Sequence, residues 1–347
     1  MGCGDLQSQV GSSVPPAGRK IFSSSGIDWI PPRVPGGTAN GRAAWAAGLK
    51  ALVLFLADAA GLAAASATPN MLLLDGAVSG TDVVVVGERG AILRSSDAAH
   101  TWTSVTSTVT TTLTGIAFAP DGAVGWAVGH DALILATRDT GRTWSKQYQS
   151  DNLQDSFLDV LGLDAQRVVA VGAYGLYAST TDGGKTWTRR KIISEDFHLN
   201  RLSRGPTGTL YLAGEHGTLL RSTDEGGTWA AIPAPYDGSF YGILPLDRRT
   251  LLAYGLRGRV FRSVDDGGTW APLAAPQPAL LATALKLKSN FFILAGQART
   301  LLVSRDYGRT LLPDPAAPAT AVAELIELPD GSVLVLGEAG ATVMPKP

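Results

Sequence analysis

Six aspartates recur in one local setting. Asp97, Asp139, Asp182, Asp224, Asp265 and Asp306 each follow a Ser or Thr by two residues and precede a Thr by four. Carboxylates of this kind could do three sorts of chemistry. Two of them facing each other across a sugar would make a glycoside hydrolase. Several converging on one point could supply the oxygen shell of a calcium ion. One alone in a tight turn would accept hydrogen bonds from nearby backbone N–H groups. The six acids are spread evenly along the chain, which keeps them apart and selects the third role. Gly141, Gly184, Gly226, Gly267 and Gly308 stand two residues after their Asp, where a left-handed backbone is wanted; Ala99 takes that place in the first copy.

Other chemistry finds little support. The four histidines, His100, His130, His198 and His216, lack a spacing that promises convergence on a metal, and no nucleophile elbow accompanies any Ser/His/Asp set. Cys3 is the single cysteine, which excludes a disulfide framework and a zinc site built on several thiolates. Lys+Arg 29 against Asp+Glu 30 leaves no basic field for nucleic acid. No catalytic residue, metal or cofactor is assigned.

The elements that carry these acids are a repeat. Trp102, Trp144, Trp187, Trp229 and Trp270 are 41–43 residues apart, and Leu311 takes the next Trp place. Gly87, Gly129, Gly172, Gly214, Gly255, Gly296 and Gly337 recur at the same interval. Each unit reads as an apolar strand A, a turn, strand B ending in Gly, a short loop, strand C, the aspartate turn with its Trp plug, and strand D. Four short strands at this period make a β-propeller blade. The expectation is all-β: a seven-bladed β-propeller of four-stranded blades over residues 68–347. The last unit ends after a third strand (341–344), so a segment near Thr68–Asp75 is expected to complete it, or that blade is short by one strand.

Propeller topology sorts the loops. The C–D turns with the aspartates share one face with the A–B turns. The B–C loops and D–A segments share the other, where the repeats agree least and function can be written. From that face we assign a binding surface: Glu88, His130, Tyr174, Glu215, His216 and Arg257 from the B–C loops, and His198, Asn200, Tyr236, Phe240 and Tyr241 from the D–A segments. Interleaved aromatic and charged groups suit a protein partner.

Residues 1–40 are rich in Gly, Pro and Ser and read as disordered or as lying upstream of the true start. Residues 41–67 have the layout of a signal peptide: Arg42 and Lys50, an apolar stretch, and Ala65-Ser66-Ala67 as a cleavage pattern. The alternative is a retained membrane anchor through 43–67, against which Asp58 counts. The expected location is exported and periplasmic.

The run GERGAILRSSD, GHDALILATRDTGRTW, GAYGLYASTTDGGKTW, EDFHLN, AGEHGTLLRSTDEGGTW, PYDGSFYG and GLRGRVFRSVDDGGTW resembles the photosystem II stability/assembly factor-like family of bacterial proteins. Its aspartate motif is the Asp-box of neuraminidase-type (BNR) repeats. The resemblance covers residues 71–347 and implies a seven-bladed, non-enzymatic, exported scaffold. In photosynthetic organisms such factors act on the lumenal side and help a membrane reaction-centre complex assemble. The partner implied is a membrane protein complex, photosystem-like or transporter-like, with the chain acting as a monomer. Members from oxygenic phototrophs carry a basic surface patch, whereas the rim read here mixes Glu, Asp and Arg. Two other readings stay open. A sialidase-type glycosidase would need three arginines on a carboxylate and its Arg-Ile-Pro segment, which is absent; xyloglucanase-type enzymes use two propellers. A ligand-binding propeller would hold a small molecule in the central pocket.

Overall fold

The second strand of every blade is a nearly continuous apolar run, such as Asp82–Gly87 (DVVVVG) or Val168–Gly172 (VVAVG). Such a run suits a strand covered on both faces. The computed structural model, which describes Met71–Lys346, shows what covers them. Seven antiparallel sheets stand side by side in a ring, and each buries its second strand between two neighbouring sheets. The readings for residues 1–40 and 41–67 lie outside the described residues.

The innermost strands are Leu73–Ser79, Leu113–Phe118, Phe157–Gly162, Leu199–Arg204, Phe240–Pro245, Leu281–Lys286 and Val322–Glu327. Each touches the next around a central channel, and the last touches the first. Blades 1 to 6 have four strands. Blade 7 has three among the described residues, ending with Gly340–Met344. The segment expected to complete it is placed otherwise where it is described: Leu73–Ser79 is the innermost strand of blade 1, paired with Asp82–Gly87. The ring is sealed between blades 7 and 1 by apolar packing. Leu73, Val83, Val85 and Leu93 of blade 1 meet Ile326, Leu328, Leu334 and Leu336.

The Trp markers fill the seams between blades, always one seam back. Trp102 joins the blade 7/1 cluster, Trp144 the 1/2 cluster, Trp187 the 2/3, Trp229 the 3/4 and Trp270 the 4/5. Leu311 does the same at 5/6. The Gly markers have a different cause. At each of the seven, a Cβ would collide with the carbonyl oxygen of the residue just before strand A, such as Leu72 at Gly87 or Ser156 at Gly172. Their φ values, where given, are extended, so glycine is required there by close approach of two chains.

The six aspartate turns are built alike. In the fourth, Asp224 Oδ1 accepts from Ser222 Oγ (2.7 Å) and from the Thr228 N–H (2.8 Å), and Oδ2 accepts from Thr228 Oγ1 (2.7 Å). Ser222 Oγ in turn accepts from the Gly226 N–H (2.8 Å). The same bonds hold Asp97, Asp139, Asp182, Asp265 and Asp306. These donors keep the carboxyls of Asp97, Asp224, Asp265 and Asp306 down at about 2. The acids are occupied within their own turns.

Candidate functional site

Each B–C loop is fixed to the segment entering its own strand A. The residue after each marker Gly donates its N–H to the carbonyl before that strand: Glu88 to Leu72, His130 to Thr112, Ala173 to Ser156, Glu215 to His198, Leu256 to Ser239, Gln297 to Leu280 and Glu338 to Ala321. Further bonds reach the incoming segment of the next blade, as from Gly175 to Phe197 and Gly217 to Gly238. The B–C loops and D–A segments therefore form one surface. The aspartate turns bond instead to the A–B turns, as from Gly183 to Gln166 and Asp266 to Arg249.

In blades 1 to 6 one residue stands at the tip of each loop, exposed in all but blade 2, where Asp131 is half-buried and accepts from Thr111 Oγ1 (2.6 Å). Arg89, Asp131, Tyr174, His216, Arg257 and Ala298 hold the same place in blades 1 to 6, and all six have left-handed backbones with φ of 50–59°. Non-glycine residues adopt this conformation at a cost. The turn is constant while its tip side chain varies from blade to blade, so the tips can differentiate the surface without altering the fold.

The expected binding residues divide by geometry. Tyr174 is 64% exposed and meets the His198 ring edge-on at 4.9 Å. His216 is exposed and stacks on Phe197 at 4.4 Å. Glu215 lies between the two pairs. Its Oε2 accepts from the His198 N–H (2.9 Å), and its Oε1 is 3.6 Å from His198 Nδ1. Tyr241 is half-buried, and burial together with the Glu215 charge raises its phenol above the ordinary value. Blades 3 to 5 thus bring Tyr174, Phe197, His198, Glu215, His216 and Tyr241 to one part of the rim. Phe197 was missed by sequence reasoning, although it stands beside His198 in the same EDFHLN segment.

The remaining members are elsewhere or otherwise engaged. Glu88 caps the entry to blade 1, accepting from the Leu72 N–H (3.0 Å). His130 contacts Ser156 Oγ through Nδ1 at 2.8 Å. Asn200 Nδ2 donates to the Phe240 carbonyl (2.8 Å) and ties two inner strands together. Arg257 is exposed at the blade 5 tip. Phe240 is fully buried, so it supports the surface from beneath and does not present itself to a partner. Tyr236 leans on Phe240 and Phe261 and is half-buried beneath Arg259. Both aromatic side chains are drawn inward because the D–A segment crosses the blade 4/5 core.

A second polar centre, absent from the sequence reading, lies inside the channel. The third residue of each inner strand forms a ring: Asp75, Gly115, Asp159, Arg201, Gly242, Thr283 and Glu324. Strand pairing slips beside each of these positions in all seven blades. Arg201 of blade 4 reaches across to Glu324 of blade 7. Thr283 Oγ1 donates to the same carboxylate at 2.5 Å. The ring floors a cavity of about 800 Å3 that opens towards the A–B turns.

The matching family model is that of the photosynthesis system II assembly factor YCF48, which aligns with residues 68–168, 94–189 and 147–277. The photosystem II stability/assembly factor HCF136 of rice is 27% identical over 183 residues, covering 50% of this chain and 42% of the rice protein. The chain spans about two-fifths of the length of the curated relatives it matches. Among solved structures, YCF48 bound to D1 peptide superposes with a TM-score of 0.67 at 20% identity, covering 80% of this chain and 96% of that one. YCF48 from Cyanidioschyzon merolae gives 0.66 at 16%, again covering 80% and 96%. A xyloglucanase from Xanthomonas campestris gives 0.55 at 19%, covering 74% of this chain and 49% of the enzyme. At these identities the structural likenesses show the propeller fold.

Proposed function

Because this chain belongs to the photosystem II assembly factor family, by a match running through residues 68–277, we propose that it is a non-enzymatic, exported scaffold. It docks on a membrane protein complex through its B–C/D–A face. The partner class is a peptide segment of a photosystem-like subunit, a reading supported by the solved relative that holds a D1 peptide. The single observation that carries the choice of face is the exposed rim of blades 3 to 5. There Tyr174, Phe197, His198 and His216 leave aromatic surface uncovered beside Glu215. Aromatic side chains dominate binding energy at protein interfaces because they cover large area with few rotatable bonds.

The test is affinity capture. The tagged chain is incubated with detergent-solubilised membranes of its source organism, beside a Tyr174→Ala/His216→Ala variant. Both substitutions lie at exposed tips and should leave the melting temperature near wild type. A stoichiometric membrane protein complex held by the wild type and lost by the variant is the expected result. Equal capture by both would move the docking site off this rim, and capture of no membrane protein by either would overturn the scaffold reading.

A further inference from the structure

The channel ring holds more acid than base. Asp75, Asp159 and Glu324 project from blades 1, 3 and 7, and Arg201 is the only cation that the seven inner strands supply at this level. Gly115 and Gly242 contribute no side chain, and Thr283 is neutral. The space beside Gly242 is taken by the Tyr254 hydroxyl, which also faces Arg201. Towards the channel mouth the charged lining residues are Asp121 and Glu327, both acidic again. Asp75 and Glu324 are 9% and 8% exposed, while Asp159 and Arg201 are half-buried at the floor of the cavity. Backbone donors reach all three acids: Asp75 accepts from the Gly76 and Ile116 N–H groups, Asp159 from Val160 and Leu202, and Glu324 from Leu325. Those dipoles soften the repulsion but do not balance it. With all three carboxylates ionised the ring would carry an excess of two negative charges around one guanidinium, in a setting where uncompensated charge is strongly disfavoured.

We infer that this ring is a proton-binding site that locks the channel: Asp75 and Asp159 take up protons as the propeller folds, and Arg201 pairs with Glu324 across the ring. Burial pushes the Asp159 carboxyl up to about 6, and burial with the nearby Glu324 charge pushes Asp75 well above the carboxylate range. A carboxyl raised in the folded state contributes stability that is complete below its unfolded value and lost as pH rises through its folded value. The lock is therefore strongest in acid and loosens through about pH 6. The loosening acts on the charge balance around Arg201 and not on the backbone bonds to the two acids, which an ionised carboxylate accepts more strongly. Ile116 and Leu202, which donate to Asp75 and Asp159 at 2.7 Å, tie blade 1 to blade 2 and blade 3 to blade 4.

Two measurements on the full chain test this. In carbon-detected NMR the side-chain carboxyls of Asp75 and Asp159 are titrated directly, with exposed Asp237 as reference. The expected result is a midpoint near 6 for Asp159 and one well above the ordinary carboxylate range for Asp75; midpoints below 4 for both would overturn the inference. Melting temperature is also followed from pH 5 to 8 for wild type, Asp159→Asn and Asp237→Asn. Wild type and Asp237→Asn should lose stability as pH rises, while Asp159→Asn should show a flatter profile. Parallel profiles for all three would count against the lock. Should Asp159→Asn fail to fold, the wild-type titration still decides.

Discussion

The phenol of Tyr177 in blade 3 donates to the carbonyl of Gly226, inside the aspartate turn of blade 4, at 2.9 Å. Arg190 of blade 3 reaches the same carbonyl, and its Nη1 donates to Gly227 at 2.6 Å. The aspartate turn thus orders its own backbone and offers the ordered carbonyls to the preceding blade. Blade 1 repeats the arrangement, with Arg94 Nε donating to the Thr140 carbonyl (3.3 Å).

Tyr177→Phe removes the seam hydrogen bond and the one the phenol accepts from Arg190 Nη2 (3.2 Å), while Arg190 still satisfies the carbonyl. The expected cost is about 1 kcal/mol, read as a lower urea midpoint with an unchanged slope.

Trp144 is 8% exposed in the blade 1/2 seam, and its indole N–H donates to the Gly141 carbonyl (3.2 Å). Trp144→Ala leaves a cavity between two blades and should cost about 3–5 kcal/mol. Trp229 is more exposed, and its indole N–H is buried without a hydrogen-bond partner. Trp229→Ala should therefore cost less in the same denaturation series.

The aspartate turns and the channel ring pull stability in opposite directions with pH. The turn carboxyls are depressed, so their contribution is present above the unfolded value of about 4 and is lost as pH falls towards about 2. The Asp159 carboxyl contributes fully below that value and has lost its effect above about 6. Melting temperature should peak between these limits. Asp224→Asn should weaken the acid limb of the profile and leave the limb that falls towards about pH 6 unchanged.

Tyr174 holds a left-handed backbone (φ 55°) with its side chain exposed. Tyr174→Gly relieves that conformation by about 1 kcal/mol, offset in part by the greater freedom of glycine in the unfolded chain. The variant should melt at or slightly above the wild-type temperature while losing capture of the membrane partner. A clear fall in melting temperature would show that the ring contact with His198 is structural.

Removing residues 319–347 deletes blade 7 and its apolar seam with Leu73, Val83 and Val85. The truncated chain should aggregate, with two sheet faces newly exposed. Size-exclusion chromatography checks this, and a soluble chain with one cooperative transition would contradict closure by blade 7.

What could be read from the sequence was whatever the repeat multiplied. The Gly markers, Trp plugs and aspartates answer to contacts that recur in blade after blade, so spacing alone revealed blades, seams and the sorting of loops to faces. The channel ring stayed hidden for the converse reason. Asp75, Asp159, Arg201 and Glu324 share one repeat position but no residue type, and the pairing slip beside them disguises which side chains point inward. Counting back from the marker glycines aligns Asp159, Arg201 and Glu324 but falls one residue short of Asp75, because the hairpin of blade 1 is shorter. Phe240 misled because an aromatic residue in a loop-like segment reads as surface, whereas here it is fully buried in the blade 4/5 core.

The outward tips have a consequence for engineering. Arg89, Asp131, Tyr174, His216, Arg257 and Ala298 stand on turns of one shape anchored by backbone bonds, to which Asp131 adds a side-chain bond from Thr111 Oγ1 (2.6 Å). Randomising these six codons together, with Asn, Asp and Gly over-represented to suit the left-handed backbone, would yield a library whose members share one frame and differ in what they grip. The propeller could then be selected against new targets much as antibody loops are, with no disulfide to form and no loop length to choose.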